Sequence, residues 1–272
     1  DGYPQAEDVN DMNETCHEDQ VVEGWVEIAN DAEAAAVCAG VCSLVVRGSV
    51  FVEGLSDAAD LSCLTAISAD LQVIDSSVTS LDAFRSLNTV NRMTIADNPN
   101  LGSLQGLSSL YDVREELVVR NNEALTSLAG LEFLLFAPGR VDITGNGSLS
   151  SLSDLPVDIF EAEYIRIQDN VLTSLQGFDG VITLYGLSLS DPVLSDIEAL
   201  ASVRYVYGLS LMDLPNVTSL EPLSGVIGIK ESLTIRSVGA RDLEPLSAMG
   251  YIAEDLTIAD VPLADMTGLE GI

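Results

Sequence analysis

The sequence predicts an all-β-dominated fold, a parallel β-solenoid that begins with a short capping helix held by disulfides. Three observations lead to this prediction. Short apolar segments recur every 22 to 24 residues, an asparagine follows four of them at intervals of 24, and all four cysteines lie at or before Cys63. A coil this short cannot bury its own apolar face, but a stack of such coils can.

The strands are the clearest repeated element. Met93 and Ile95 point to one side of their segment and Thr94 and Ala96 to the other, which is the alternation of a β-strand. The period is shorter than a TPR, ankyrin or HEAT unit, and no helical period is sustained within it. We therefore expect several short strands in each coil, stacked in parallel about 4.8 Å apart. The main strands are predicted to begin at Leu71, Met93, Leu117, Val141, Ile165, Leu187, Leu209, Leu233 and Leu256.

Four asparagines form a predicted structural ladder. They follow their strands at the point where the coil turns and leaves backbone N–H and C=O groups unpaired. A carboxamide carries both donors and acceptors, so stacked asparagines can pair with these groups and with one another. The members of the ladder are Asn98, Asn122, Asn146 and Asn170.

The N-terminal part of the chain predicts a cap. Asn30 precedes an Ala-rich segment with Glu33 near its start, which is the pattern of a short capped helix. We divide the chain into an acidic flexible leader (residues 1–20), the cap with the first rung (residues 21–70) and the solenoid repeats (residues 71–272). We expect the repeats to continue, or to be covered by a partner, after residue 272, because an open last rung exposes strand backbone.

The cysteines predict two disulfides near this cap, formed in an oxidising compartment. Four cysteines allow three pairings, of which we favour Cys16–Cys42 with Cys38–Cys63. A zinc site is the alternative, because Cys38 and Cys42 are four residues apart and His17 is next to Cys16. The absence of a CxxC motif argues against zinc.

The net charge of −32 restricts the partners of the chain. Nucleic acid and anionic membrane surfaces would be repelled, because binding them requires clusters of Lys and Arg. Aspartates also recur just after the strands, so calcium on this acidic surface is the one cofactor hypothesis; no other cofactor is predicted. No run of 18 apolar residues is present, so no transmembrane segment is predicted.

Glycosylation sequons indicate a secreted glycoprotein. They occur at Asn13, Asn146 and Asn216. Together with the disulfides they predict an extracellular or cell-surface location, and we expect a mature chain from which a signal peptide has been removed.

Tyrosines mark a candidate ligand patch in the central rungs. Tyr185 and Tyr207 are 22 residues apart and occupy the same rung position, so we expect them to stack. One interpretation is an aromatic strip that binds sugar or peptide, and the other is plain packing along the solenoid. The patch comprises Tyr164, Tyr185, Tyr205 and Tyr207.

The residues around the repeat resemble a known family. The rung pattern L-x-I-x-x-N-x-x-L-x-S-L-x-G-L is similar to the receptor L-domain repeat, the leucine-rich right-handed β-helix of insulin and epidermal growth factor receptor ectodomains, also found in bacterial and fungal surface proteins. The resemblance covers residues 25–272 and implies a right-handed solenoid, an extracellular location and no enzymatic activity. No Cys-rich module like that of the receptors follows the solenoid within these residues, so the ligand specificity of the receptors is not carried over.

The function predicted on these grounds is an extracellular structural or adhesive module in a cell-surface or fibre assembly. It would meet protein or polysaccharide partners and would self-assemble through its C-terminal edge. The alternative is a receptor-like module that binds sugar or peptide, and a less favoured one is a polysaccharide-active enzyme. No catalytic residue is predicted, because His17 is the only histidine available for acid–base chemistry and no phosphate-binding motif occurs.

Overall fold

The chain folds into one long parallel sheet, which confirms the predicted solenoid. The computed structural model describes Cys16, residues 18–135 and residues 139–272. Fourteen strands form the sheet, and neighbouring strands pair in parallel. The strands are β1 (Glu18–Glu23), β2 (Val26–Ile28), β3 (Val41–Arg47), β4 (Val50–Glu53), β5 (Leu64–Ile74), β6 (Thr89–Ala96), β7 (Asp112–Arg120), β8 (Arg140–Thr144), β9 (Tyr164–Gln168), β10 (Thr183–Ser190), β11 (Tyr205–Leu214), β12 (Gly228–Ile229), β13 (Leu233–Val238) and β14 (Leu256–Ala259).

The predicted strand starts form a single row across this sheet. Leu71 on β5 pairs in register with Met93 on β6, Met93 pairs with Leu117, and the row continues through every predicted start to Leu256. The members of the row from Leu71 to Leu233 are buried. The alternation of the sequence therefore predicts both the register and the face that packs inward.

Short 3₁₀ helices, rather than further strands, fill much of the coil between successive strands, so the expectation of several strands per coil is wrong for most rungs. The reason is a spacing of three: Leu104, Leu107 and Leu110 are all buried, and side chains three apart eclipse in a 3₁₀ helix. The 3₁₀ helices of the described residues are Asp82–Phe84, Gln105–Leu107, Val157–Glu161, Glu198–Ser202, Glu221–Leu223 and Glu244–Leu246.

The asparagines lie in adjacent layers and bond to one another. Asn122 Oδ1 accepts from Asn98 N and Asn98 Nδ2, both at 3.2 Å, and Asn122 Nδ2 donates to Ile95 O at 3.0 Å and to Asn146 Oδ1 at 3.2 Å. Asn146 and Asn170 repeat this arrangement. The four side chains thus pair the turn backbone of one rung with the next, inside the core.

This ladder corrects one predicted glycosylation site. Asn146 is fully buried, and its Nδ2 already donates to Val119 O and Asn170 Oδ1, so a glycan cannot be attached to it in the folded chain. Asn216 is exposed, with Nδ2 donating to Pro192 O at 2.9 Å, and glycosylation there stays a prediction. Asn13 lies outside the described residues.

The recurring aspartates have a conformational role. Asp75, Asp97, Asp169 and Asp260 each follow a strand, and Asp213 lies next to the last residue of β11. All five have φ between 47° and 58°, a left-handed conformation that aspartate tolerates better than most residues. Gly54 and Gly145 occupy the same turn position in other rungs, both with φ 67°. The need for this turn explains the spacing of the carboxylates.

The N-terminal cap contains one α-helix, α1 (Asp31–Val37), as predicted. Asn30 Oδ1 accepts from Glu33 N at 3.0 Å, and Glu33 Oε2 accepts from Ala29 N at 2.8 Å. This arrangement resembles a capping box, but the returning bond reaches the residue before the N-cap. The disulfides are Cys16–Cys42 and Cys38–Cys63, the favoured pairing, with Cα–Cα distances of 5.0 and 5.5 Å. The cap is therefore tied to the first strands at two points.

The limits of the solenoid differ from the predicted divisions. Strand β1 starts at Glu18 and pairs with β3, so the last residues assigned to a flexible leader belong to the sheet. The region of residues 21–70 holds parallel strand pairs of its own, β1–β3 and β2–β4, rather than a single first rung. No helix within the described ranges is long and apolar enough to cross a membrane.

Candidate functional site: a tyrosine groove

A surface groove of about 460 Å³ crosses the sheet in the rungs that carry the tyrosines. It crosses strands β9, β10, β11 and β13, which are consecutive neighbours in the sheet, so it runs along the solenoid axis. We call it the tyrosine groove. Its lining residues are Glu163, Tyr164, Tyr185, Gly186, Leu187, Ser188, Tyr207, Gly208, Leu209, Ser210, Glu231, Ser232 and Thr234.

Tyrosine rings form one side of the tyrosine groove. The ring centroids of Tyr185 and Tyr207 are 5.0 Å apart with an interplanar angle of 32°, because the two residues occupy the same position on adjacent strands. Tyr164 and Tyr185 are 42% and 41% exposed. Exposed rings of this kind keep part of their apolar surface accessible to a ligand.

Two glycines form the recess beside the rings. Gly186 and Gly208 pair in register between β10 and β11, each directly after a tyrosine. A Cβ at Gly186 would lie 2.9 Å from Glu163 O and 3.0 Å from Tyr164 Cδ2, too close for an ordinary contact. The absence of side chains at these two positions leaves the floor low and lets the ring of Tyr164 lie against the backbone.

Hydroxyl groups line the other side of the groove. Ser188, Ser210 and Thr234 follow one another in register on β10, β11 and β13, so they form a row parallel to the tyrosines. Ser188 is buried and its Oγ lies 3.2 Å from Gln168 Nε2, which donates to it. Ser210 and Thr234 are partly exposed.

Charges lie at the rim of the groove. Glu163 and Glu231 are exposed carboxylates. Beside them, Lys230 Nζ lies 4.1 Å from the ring centroid of Tyr207 and donates to its hydroxyl at 2.8 Å. This hydrogen bond raises the pKa of the Lys230 amine and holds the only lysine of the sequence against the aromatic wall.

In the preceding rungs, charged side chains cover the row of surface positions that Tyr164 continues. Asp70, Arg92, Glu116 and Arg140 pair in register just ahead of Tyr164. Arg92 Nε lies 2.9 Å from Asp70 Oδ1, and Arg140 Nε lies 3.6 Å from Glu116 Oε1. Ion pairs therefore cover the sheet there, whereas tyrosines and glycines open it in the following rungs.

Three of the four predicted patch residues line the groove. Tyr164, Tyr185 and Tyr207 belong to it, whereas Tyr205 is 53% exposed on the strand but does not line the groove. Sequence reasoning missed the glycines, the hydroxyl row and the rim glutamates. A signal was present, because the pentapeptide Tyr-Gly-Leu-Ser-Leu occurs at 185–189 and again at 207–211.

Within the described residues, no group of three or more His, Cys, Asp or Glu side chains could hold a metal ion. The proposed zinc alternative at the cysteines is replaced by the two disulfides. Calcium on the acidic surface stays a prediction.

Comparisons with known proteins identify no family. No family model and no curated protein matches the sequence. Among solved structures, an internalin, inlF, from Listeria monocytogenes is similar at 18% sequence identity and a TM-score of 0.43, over 88% of this chain and 65% of that one. The chain thus spans less than two thirds of the length of the internalin that it matches.

Proposed function

We propose that the chain is an extracellular, surface-associated module that adheres to other molecules by binding a ligand in the tyrosine groove. The observation that supports this proposal is the groove itself, in which Tyr164 and Tyr185 are exposed and Tyr207 is partly exposed on successive rungs. Exposed aromatic faces beside hydroxyls are typical of binding surfaces rather than of plain packing. The two disulfides support an oxidising, extracellular compartment.

An adhesive module is expected to bind without turning over its ligand. The rim carboxylates Glu163 and Glu231 are exposed, and no histidine or cysteine is among the described residues that line the groove. We therefore expect no cleavage products when the chain is incubated with polysaccharides, a result that chromatography of the supernatant would show.

The test of the binding proposal uses arrays that carry defined oligosaccharides and defined peptides side by side. The chain should bind at least one ligand class, and the Tyr185→Ala/Tyr207→Ala double variant should lose that binding. Tyr111→Ala is the matched control, because Tyr111 is 42% exposed and lies away from the groove. Absence of binding to both ligand classes, or equal binding by the double variant, would contradict the proposal.

A structural role through the C-terminal edge is the second candidate. Leu256 on β14 is 38% exposed, whereas its register partner Leu233 on β13 is fully buried. Such an edge favours pairing with another chain. Light scattering over a range of concentrations should then show association that Leu256→Glu weakens, and a monomer at all concentrations would contradict it.

A further inference from the structure

We infer that the ligand of the tyrosine groove is a neutral, linear polysaccharide lying along the solenoid axis. This inference rests on the proposed binding function and names the chemical class of its ligand. Four features of the groove support it: its direction, the chemistry of its walls, the charge around it and the hydrogen bonding of its strands.

The direction of the groove favours a linear ligand. Its lining residues come from β9, β10, β11 and β13, and three strand spacings of about 4.8 Å give a length of roughly 14 Å. Similar groups recur at each step, with Tyr185 followed by Tyr207 and Ser188 followed by Ser210. A repeating site of this kind matches a ligand that itself repeats, and a β-linked sugar chain advances per residue by a distance close to one strand spacing.

The two walls have the chemistry that sugars require. A pyranose ring has an apolar face of C–H groups, which packs on an exposed aromatic ring, and an equatorial belt of hydroxyls, which needs hydrogen-bond partners. Tyr164 and Tyr185 offer exposed rings, and Tyr207 packs against Tyr185 from the adjacent rung. Ser210 and Thr234 offer hydroxyls beside them. The low floor at Gly186 and Gly208 brings the ligand close to both walls.

The charge of the molecule excludes acidic ligands. Glu163 and Glu231 stand at the rim, and the chain as a whole carries a net charge of −32. An acidic polysaccharide would meet repulsion both at the groove and at a distance. The positive charges beside the groove are already engaged, because the amine of Lys230 donates to the Tyr207 hydroxyl. Arg140 and Arg166 both pair with Asp142, at 2.9 and 3.7 Å. A neutral ligand meets no such penalty, and the rim carboxylates can accept hydrogen bonds from its hydroxyls.

The backbone at the groove argues against an extended peptide. Peptides commonly bind sheets by adding a strand, which requires a free edge. Strand β10 is paired with β9 on one side and β11 on the other, and β11 is paired with β10 and β13. The groove therefore lies in the interior of the sheet, where the main-chain groups of the strands are engaged with their neighbours. A peptide would have to bind through side chains alone.

The inference can be tested by isothermal titration calorimetry of the chain with defined hexasaccharides. The probes are cellohexaose, chitohexaose and laminarihexaose as neutral chains, and hexagalacturonate as an acidic chain of the same length. We expect at least one neutral hexasaccharide to bind and hexagalacturonate to give no signal. Binding should strengthen from the disaccharide to the tetrasaccharide and then level off, because the groove spans four strands.

Variants assign the binding to the groove. Tyr185→Ala/Tyr207→Ala should weaken binding at least about tenfold, since about 1.4 kcal/mol of lost stacking gives that factor. Tyr185→Phe should bind nearly as well, because the ring face remains. Gly208→Val should also weaken binding by filling the floor; far-ultraviolet circular dichroism and the melting temperature establish that each variant is folded. Tyr111→Ala should bind like the unchanged chain.

The outcomes separate this inference from the function on which it rests. If peptides bind and the tyrosine variants abolish that binding, while no neutral hexasaccharide binds, the adhesive function stands and the polysaccharide inference is overturned. If neither ligand class binds, both fail. Binding of hexagalacturonate as strong as that of the neutral chains would overturn the charge argument and with it the inference.

Discussion

The side chain of Asn122 shows how single residues hold adjacent rungs together. It makes four hydrogen bonds, which is the full capacity of a carboxamide, and every partner is buried. A buried donor or acceptor that loses its partner costs about 1 to 3 kcal/mol. The ladder therefore stabilises the turns mainly because it keeps buried polar groups hydrogen-bonded. Substituting one of its members should be among the most destabilising changes in the chain.

Replacing Asn122 with alanine should destabilise the fold strongly. The change leaves Asn98 N, Ile95 O and Asn146 Oδ1 without this partner, so we expect a loss of about 3 kcal/mol or more in the free energy of unfolding. Urea denaturation measures it. Glu123→Ala, at the exposed neighbouring position, is the control and should change stability by less than about 0.5 kcal/mol. Equal losses in the two variants would refute the role of the ladder.

Asp191 continues the ladder with a carboxylate. It is fully buried, and its oxygens accept from Leu172 N at 3.2 Å and Val193 N at 3.3 Å. The spacing of the sequence groups Asp191 with the turn aspartates, but it is not among the residues with positive φ. Pro192 is the physical reason, because a proline disfavours helical conformations in the residue before it. Asp191 therefore turns inward, and sequence spacing alone could not separate it from its neighbours.

Burial gives Asp191 a predictable effect on pH dependence. Desolvation is the main cause that raises the pKa of this carboxyl above its ordinary value of 3.8. Since the folded state holds the proton more tightly than the unfolded state, this contribution to stability is present below the ordinary pKa and is lost as the pH rises through the folded pKa. Relative to the unchanged chain, Asp191→Asn should therefore gain stability as the pH rises. Urea denaturation from pH 3 to pH 7 measures this difference, and a difference independent of pH would show that Asp191 does not titrate in this way.

A strand forms part of each rung and a short 3₁₀ helix part of most rungs, and the sequence predicted the two kinds of element unequally. Period-two alternation and the constant interval gave the strand register correctly from Leu71 to Leu256. The 3₁₀ helices were missed, because apolar residues three apart, such as Leu104 and Leu107, also fit an irregular turn. The tyrosine groove was predicted only in part: its aromatic residues stand out in the sequence, whereas its recess depends on which side of the strand the glycines face.

The 3₁₀ helices of adjacent rungs stack so closely that Gly106 has no room for a side chain. A Cβ at this position would overlap the backbone carbonyl of Leu81 in the adjacent rung, whereas a Cβ at Gly102 would lie at an ordinary 3.8 Å from Thr79 O. We expect Gly106→Ala to lower the melting temperature, with a loss of about 1 to 3 kcal/mol, and Gly102→Ala to be nearly neutral. Differential scanning calorimetry compares them. A neutral Gly106→Ala would mean that adjacent rungs can separate at no cost.

At the scale of the whole molecule, the charge is the dominant feature. Acidic residues outnumber basic ones by 43 to 11, and the ion pairs of the described residues are partly exposed, such as that of Arg92 with Asp70. Exposed pairs contribute little, so they do not offset the repulsion among the remaining carboxylates. The aliphatic core and the hydrogen-bonded turns must hold the solenoid together against this repulsion.

Salt should therefore stabilise the chain. Screening shortens from about 10 Å at 0.1 M to about 3 Å at 1 M ionic strength, so we expect the melting temperature to rise with sodium chloride. Calcium chloride at matched ionic strength tests the calcium prediction, because only specific binding adds a further rise. A melting temperature that falls with sodium chloride would show that attractive ion pairs dominate the surface. Equal melting temperatures in the two salts would show that the chain does not bind calcium specifically.

The pentapeptide Tyr-Gly-Leu-Ser-Leu is present once in each of two adjacent rungs. The length of the groove therefore depends on how many copies of this rung the gene encodes. Because each coil contacts chiefly its neighbours, duplicating the segment from 187 to 208 would insert one more coil and two more tyrosines, of which the copy of Tyr207 would extend the groove. Each added copy of this 22-residue unit would lengthen the groove by one rung. The free energy of binding a long ligand would then increase by a similar amount with each copy.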